Sequence, residues 1–248
     1  MYPETGLLDE EFWGFAPSGT AVFITRTLVP DQASVEVLTE MARSTGTERM
    51  ARGFRKIGVD ALAYACTGVG FIRGYGTDEE LNRRLTEAVC APATCTITAS
   101  VRAMRRLGLR RISVATPYLG RIDDKLHDFL EASGFDIREQ RSLGLRGREI
   151  NLVPLDRIYR LVQEVDTPES DGVYIACTGF RSLEIIDMLE KYLGKPVISA
   201  NQATMWDALR LADVHVREPH LGLLYRLRHG ELERTDTSLD LSAARQRS

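Results

Sequence analysis

The chain is poor in the residues that metal and disulfide chemistry require. It has four cysteines and four histidines among 248 residues, and no Cys-x-x-Cys or His-x-x-x-His pair. Zinc sites need such spacings, and a disulfide framework belongs to short, cysteine-dense secreted chains, so neither is expected. Long apolar runs are also missing, which excludes a bilayer-spanning helix. Met1-Tyr2-Pro3-Glu4 does not open a signal peptide, and a cytoplasmic location is the expectation. There is no basic tract with interleaved aromatics, so nucleic acid is not an expected partner. Gly68-x-Gly70 and Gly74-x-Gly76 lack the Gly-x-Gly-x-x-Gly spacing, and no strand ends in a ribose-binding acid, which argues against a dinucleotide. His127 lies in a charged helical stretch, and His215, His220 and His229 lie near the tail, all places for surface residues rather than members of a Ser-His-Asp triad.

What is present is an ordinary soluble composition, 44% hydrophobic and 27% charged with net charge −3. The length suits one large domain or two of ordinary size. Within it the tetrapeptide Ala-Cys-Thr-Gly occurs twice, at Ala65–Gly68 and Ala176–Gly179, with its cysteines 111 positions apart. Each copy closes a short apolar run, 61–64 in the first case and 173–175 in the second, and each precedes a helical pattern. This reads as a buried strand ending at a strand-to-helix turn.

The rest of the chain alternates in the same way. Strands are expected at 21–24, 59–65, 111–115, 135–138, 172–176 and 197–199. Helices are expected at 34–56 with a break near Gly46, at 77–89, 98–107, 122–132, 155–164, 183–193 and 203–212. Thr77 and Glu80 have the capping-box spacing at the start of the second helix. Alternation of this kind implies parallel sheets and an α/β fold. The two repeated units imply two pseudo-symmetric halves. Residues 1–99 form the first, with 202–227 packing back on it, and residues 100–201 form the second; 228–248 are a polar, disordered tail. Ligands of open α/β sheets bind beyond the carboxyl ends of the strands, so facing halves would bring Cys66 and Cys177 to one cleft. Cys90 and Cys95 read as small core residues.

A Cys-Thr-Gly turn at a helix start carries useful chemistry. Unpaired N–H groups favour a thiolate, glycine lets main-chain amides approach a ligand, and threonine adds a hydroxyl. Such a turn can activate sulfur and hold a carboxylate or an enediolate oxygen. Arg73 and Arg181, each following one copy, could attract acids but read first as solvated helix-start residues.

Taken in order, Ala65-Cys66-Thr67-Gly68, Pro92-Ala93-Thr94-Cys95-Thr96, Thr116-Pro117-Tyr118, Ala176-Cys177-Thr178-Gly179 and Gly194-Lys195-Pro196-Val197 leading to Asn201-Gln202-Ala203 resemble the aspartate/glutamate racemase superfamily. The specific resemblance, over about residues 19–213, is to the branch holding maleate cis-trans isomerases and arylmalonate decarboxylases. It implies two Rossmann-like lobes around the substrate, no cofactor and no metal. It also implies Cys66 and Cys177 as the catalytic thiols, and Thr67, Gly68, Tyr118, Thr178, Gly179 and Asn201 around a small dicarboxylate or related acid, with Tyr118 on a carboxylate. Association into homo-oligomers is left open. Decarboxylases of the branch keep the second cysteine and have glycine where Cys66 stands, so two thiols favour an isomerase resembling maleate isomerase. An arylmalonate-type decarboxylase, an amino-acid or hydantoin racemase, and a catalytically silent carboxylate-binding relative are the alternatives.

Two departures carry expectations. Family members begin with a strand and a Pro/Ser/Asn-rich loop that contacts substrate, whereas Met1–Gly6 reads as lying beyond that strand, so that either the start is misassigned, the sequence is short, or the first lobe lacks part of its site. Isomerases place an Asn before a Glu-Ile pair where this chain has Arg146-Gly147-Arg148 before Glu149-Ile150. Maleate itself is therefore an unsure fit, and Arg146 or Arg148 is expected to serve as the carboxylate partner.

Overall fold

Apolar strands without polar alternation need cover on both faces, and a parallel sheet between helices supplies it. Residues 111–116 and 172–175 are strands of this kind, buried at every position except Arg111. The computed structural model describes residues 1–3, 9–27, 34–216 and 218–227, so the expected disordered tail at 228–248 lies outside the described residues. The elements are β1 (Tyr2–Pro3), α1 (Asp9–Phe15), β2 (Arg26–Thr27), α2 (Val35–Arg43), α3 (Gly46–Arg55), β3 (Leu62–Tyr64), α4 (Thr67–Phe71), α5 (Thr77–Val89), β4 (Ala93–Cys95) and α6 (Thr96–Arg106). They continue with β5 (Arg111–Thr116), α7 (Gly120–Ala132), β6 (Asp136–Ser142), a 3-10 turn at Gly147–Leu152, α8 (Leu155–Val165), β7 (Gly172–Ile175), α9 (Ile186–Leu193), β8 (Val197–Ser199), α10 (Ala200–Leu211) and α11 (Leu223–Arg226).

The fold is α/β with parallel sheets. One sheet has the order β6-β5-β7-β8, every neighbour parallel. Its edge strand β6 is largely exposed and carries Asp136–Arg138 and Glu139–Arg141 ion pairs, charges that discourage pairing with another edge. The other sheet is built from parallel pairs β1-β2 and β3-β4. Met1 joins them: its nitrogen donates to Ala63 O (2.8 Å), and Ala65 N donates to Met1 O (2.7 Å).

Helices α6 and α10 tie the sheets together. The hydroxyls of Thr96 and Thr204 meet (2.9 Å), Tyr174 OH donates to Ser100 Oγ (2.9 Å), and Arg102 pairs with the fully buried Asp207 (2.7 Å). The two helices begin alike, directly after β4 and β8. In each, a hydroxyl four residues on donates back to the first carbonyl: Ser100 to Thr96 O and Thr204 to Ala200 O. This local match extends the symmetry announced by the tetrapeptide.

Several expectations need correction. Residues 21–24 are not a strand. They line one wall of a groove of about 410 Å³ whose other wall includes residues 57–63, with Met205 and Leu209 of α10 also lining it. A strand exists by its ladder, and across this groove residues 21–25 have none; pairing begins at Arg26. Thr77 does not cap α5. Gly76, left-handed at φ 84°, stands at the cap, and the Thr77 hydroxyl donates to Gly74 O (2.7 Å). Helix α9 begins at Ile186 rather than Leu183: residues 183–185 form a turn in which Ile185 N donates to Ser182 O (3.0 Å). Cys90 is exposed in a left-handed position at the end of α5, not in the core, whereas Cys95 is fully buried. Strand β4 and helix α1 were not foreseen. Among the described residues no helix is long and apolar enough to cross a membrane. His127, half-buried, meets Gln140 (3.2 Å), while His215 and His220 are exposed and His229 lies outside the described residues.

Candidate active site

Three strands deliver the candidate side chains from their carboxyl ends. Cys66 follows β3 by two residues and stands at the head of α4. Cys177 follows β7 by two, and Tyr118 lies in the loop after β5. Because β5 and β7 are neighbours, with Ala115 opposite Ile175 and Ala176 N donating to Ala115 O (2.9 Å), the Tyr118 loop is carried to the Cys177 turn. The link across the two sheets is short: Thr178 Oγ1 reaches Ala65 O (3.4 Å), so the residue after Cys177 touches the residue before Cys66.

The electrostatics place both thiols and the phenol in one neighbourhood. The Tyr118 hydroxyl donates to the Cys177 sulfur. Charge on Cys177 opposes charge on Cys66 and on Tyr118, so the three groups cannot ionise independently. Burial pushes the Cys66 thiol up to about 12, and the N–H groups of Val69 and Gly68 pull it back only in part. The expected helix-start stabilisation of the thiolate is therefore present but outweighed by desolvation. Burial likewise raises Cys177, opposed in part by the nearby N–H groups of Gly179 and Phe180 and by the Tyr118 hydroxyl. Tyr118, buried and edge-on to Phe71 (centroids 5.9 Å apart), is raised well above the phenol range, first by burial. Both sulfurs stand as thiols, one hydrogen-bonded to a neutral phenol.

The Cys177 turn is strained. Its φ of 82° lies in the left-handed region, which costs a non-glycine residue about 1–2 kcal/mol and marks sites where the surroundings impose a conformation. That conformation lets Gly179 N donate to Cys177 Sγ (3.3 Å). Gly179 has no room for a side chain: a Cβ there would stand 2.7 Å from Ile150 Cγ2 and 3.0 Å from Asn151 Oδ1.

Thr67 is buried, and among the described residues its hydroxyl has no hydrogen-bond partner, while Gly68 is buried with its N–H toward Cys66. Asn201 is fully buried behind the Cys177 turn, where its Nδ2 donates to Thr178 O (3.1 Å), Phe180 O (3.1 Å) and Glu11 Oε2 (3.0 Å). Arg146 and Arg148 are exposed, as is Arg181; Arg73 pairs with Glu80 (3.3 Å). Sequence reasoning missed two residues beside the turn. Asn151, from the 3-10 turn, stands against Gly179, one residue after the Glu149-Ile150 pair that follows Arg146 and Arg148. Glu11, from α1, accepts from Ser182 N (2.6 Å) and Leu183 N (2.8 Å).

A family model described as arylmalonate decarboxylase matches residues 19–225. Arylmalonate decarboxylase of Bordetella bronchiseptica is 33% identical over 167 residues, covering 65% of this chain and 69% of that protein. Among solved structures, a maleate cis-trans isomerase of Nocardia farcinica bound to TRIS superposes with a TM-score of 0.83 at 25% identity, over 91% of this chain and 95% of the other. A double mutant of arylmalonate decarboxylase, with a glycine replaced by cysteine and a cysteine by serine, in its liganded form, gives 0.80 at 29% identity over 90% and 94%.

Proposed function

Because the chain belongs to the arylmalonate decarboxylase family, we propose that it is a cofactor-independent isomerase that uses Cys66 and Cys177 on one small dicarboxylate, maleate being the first candidate. The observation that carries this reading is the thiol pair itself: one sulfur from each sheet, on turns joined by the Thr178 Oγ1–Ala65 O contact (3.4 Å), with charge on Cys177 raising Cys66 and a neutral phenol donating to Cys177. Decarboxylase relatives, by the resemblance above, have no sulfur at the first position.

In this reading the Cys66 thiol gives its proton to solvent, and the thiolate sulfur bonds to one alkene carbon. The π electrons move onto the adjoining carboxylate as an enediolate. The N–H groups at the two Cys-Thr-Gly turns, the Thr67 hydroxyl and Tyr118 stabilise that charge. The former double bond is now single and rotates. Cys177, kept protonated by burial, lends a proton to the carbanion carbon and takes it back. Collapse of the enediolate then expels the Cys66 sulfur and leaves the trans alkene. Two neighbouring thiols suit these roles because ionising one holds the proton on the other.

The test is conversion of maleate to fumarate by the purified chain, followed by proton NMR across pH. Since burial pushes Cys66 up to about 12, its thiolate fraction grows with pH throughout the working range. The expected kcat/KM rises about tenfold per pH unit between pH 7 and 9. A plateau already reached at pH 7 would mean that ionisation of Cys66 in the free enzyme does not limit the reaction. A second reading is favoured by the 33% identity to a decarboxylase and by a Cys177 thiol poised as an acid. In it, Cys177 protonates the enediolate left when an arylmalonate loses carbon dioxide; release of carbon dioxide from phenylmalonate, with no fumarate from maleate, would select it.

A further inference from the structure

Helix α1 presents Glu11, Phe12 and Phe15 to the interior, and Glu11 is only 5% exposed. A buried carboxylate costs several kcal/mol unless its oxygens are fully engaged. Among the described residues no cation pairs with Glu11. Four donor contacts replace it, all from residues more than 170 positions away: Ser182 N (2.6 Å), Leu183 N (2.8 Å), Ser182 Oγ (3.2 Å) and Asn201 Nδ2 (3.0 Å). Hydrogen bonds to an ionised acceptor are about twice as strong as neutral ones. Packing agrees with this attachment, since Gly14 of the same helix lies so close to Leu183 that a Cβ there would meet Leu183 Cδ2 at 2.3 Å.

All the donors belong to the support of one turn. Ser182 and Leu183 end the loop that begins at Cys177. Asn201 holds that loop at Thr178 O and Phe180 O with the same Nδ2 that meets Glu11. The loop must be held, because Cys177 is kept left-handed at φ 82° and its sulfur takes an N–H bond from Gly179 (3.3 Å). Left to itself, the turn would relax toward a conformation that a cysteine prefers, and that N–H group would turn away from the sulfur.

We propose that Glu11 is the positioning residue for Cys177: through Ser182, Leu183 and Asn201 it fixes the strained turn that aims the second thiol and its Gly179 N–H donor. The part of this proposal that concerns turnover rests on the two-thiol reading above; the part that concerns the geometry of Cys177 does not. In Glu11→Gln one oxygen becomes an NH2 that faces N–H donors, so the loop loosens, the Gly179 N–H bond to sulfur weakens and the Cys177 thiolate is less favoured.

The experiment is alkylation of the full chain by iodoacetamide, with peptide mass spectrometry giving separate rates at Cys66 and Cys177 from pH 7 to 10. Circular dichroism and thermal melts check that each variant is folded. In Glu11→Gln the Cys177 rate falls at least about threefold relative to Cys66, and its pH midpoint moves up; Glu11→Asp, which keeps the charge, restores part of both. With maleate, kcat falls more than KM changes. A folded Glu11→Gln protein whose Cys177-to-Cys66 ratio and midpoint equal those of the wild type overturns the proposal. Should Glu11→Gln not fold, the same ratio and midpoint measured on Glu11→Asp decide it in the same way. The alkylation result stands even if no isomerisation is found, so failure of the functional reading and failure of this proposal are separable.

Discussion

Replacing Cys66 by glycine is expected to lower fumarate formation from maleate by at least about a thousandfold, equivalent to about 4 kcal/mol of barrier, while the protein stays folded. The size follows from the role. Without the first sulfur there is no nucleophile to saturate the alkene, and rotation about an intact double bond is not assisted by hydrogen bonds alone. Glycine is the informative replacement because decarboxylases of the branch carry it at this position, as the resemblance implies. Cys66 stands at an extended position, φ −146°, which glycine adopts without strain. The same variant assayed with phenylmalonate separates the two readings. Carbon dioxide release undiminished in Cys66→Gly, with no isomerase activity in the wild type, would transfer the chemistry to Cys177 alone. Retention of maleate turnover by Cys66→Gly would remove the nucleophile from the account.

Replacing Cys177 by serine is expected to reduce turnover by a similar order, about a thousandfold, but to leave a different trace. A serine hydroxyl neither gives nor recovers a proton as readily as a thiol. Cys66 can still add to maleate, and once the carbanion carbon takes a proton from solvent the product is a stable thioether. Intact-mass analysis should then show the chain increased by one acid, on the Cys66 peptide. Cys177→Gly serves as the folding control: it loses the sulfur but relieves the left-handed backbone, so its melting temperature should not fall below that of Cys177→Ser. An unreacted Cys66 in Cys177→Ser, with turnover near the wild-type level, would contradict the division of roles.

The pattern of apolar runs and glycines located β3, β5, β7 and β8 and most helices, because buried parallel strands carry their signal in composition alone. The repeated tetrapeptide was enough to place Cys66 and Cys177 at equivalent strand ends. Residues 21–24 show the limit: the run is apolar and β-branched, yet strand pairing depends on a neighbour that composition does not encode. Glu11 shows another. Within Asp9-Glu10-Glu11 it reads as a solvated helix start, although its spacing to Phe12 and Phe15 puts it on the buried face of α1. Its partners lie in another sheet's loop, and nothing local announces them. The protonation of the thiols was also out of reach. A helix-start cysteine suggests a thiolate, but the desolvation that pushes Cys66 to about 12 is a sum over neighbours assembled only by folding.

The central claim is that the two sulfurs serve one bound acid. It is tested most directly by measuring how maleate protects each thiol of the wild-type chain from iodoacetamide, with the Cys66 and Cys177 peptides quantified separately across a concentration series. One acid between the thiols slows both reactions with a single half-saturation concentration. Protection of one cysteine while the other reacts unchanged, or two clearly different half-saturation concentrations, would contradict it.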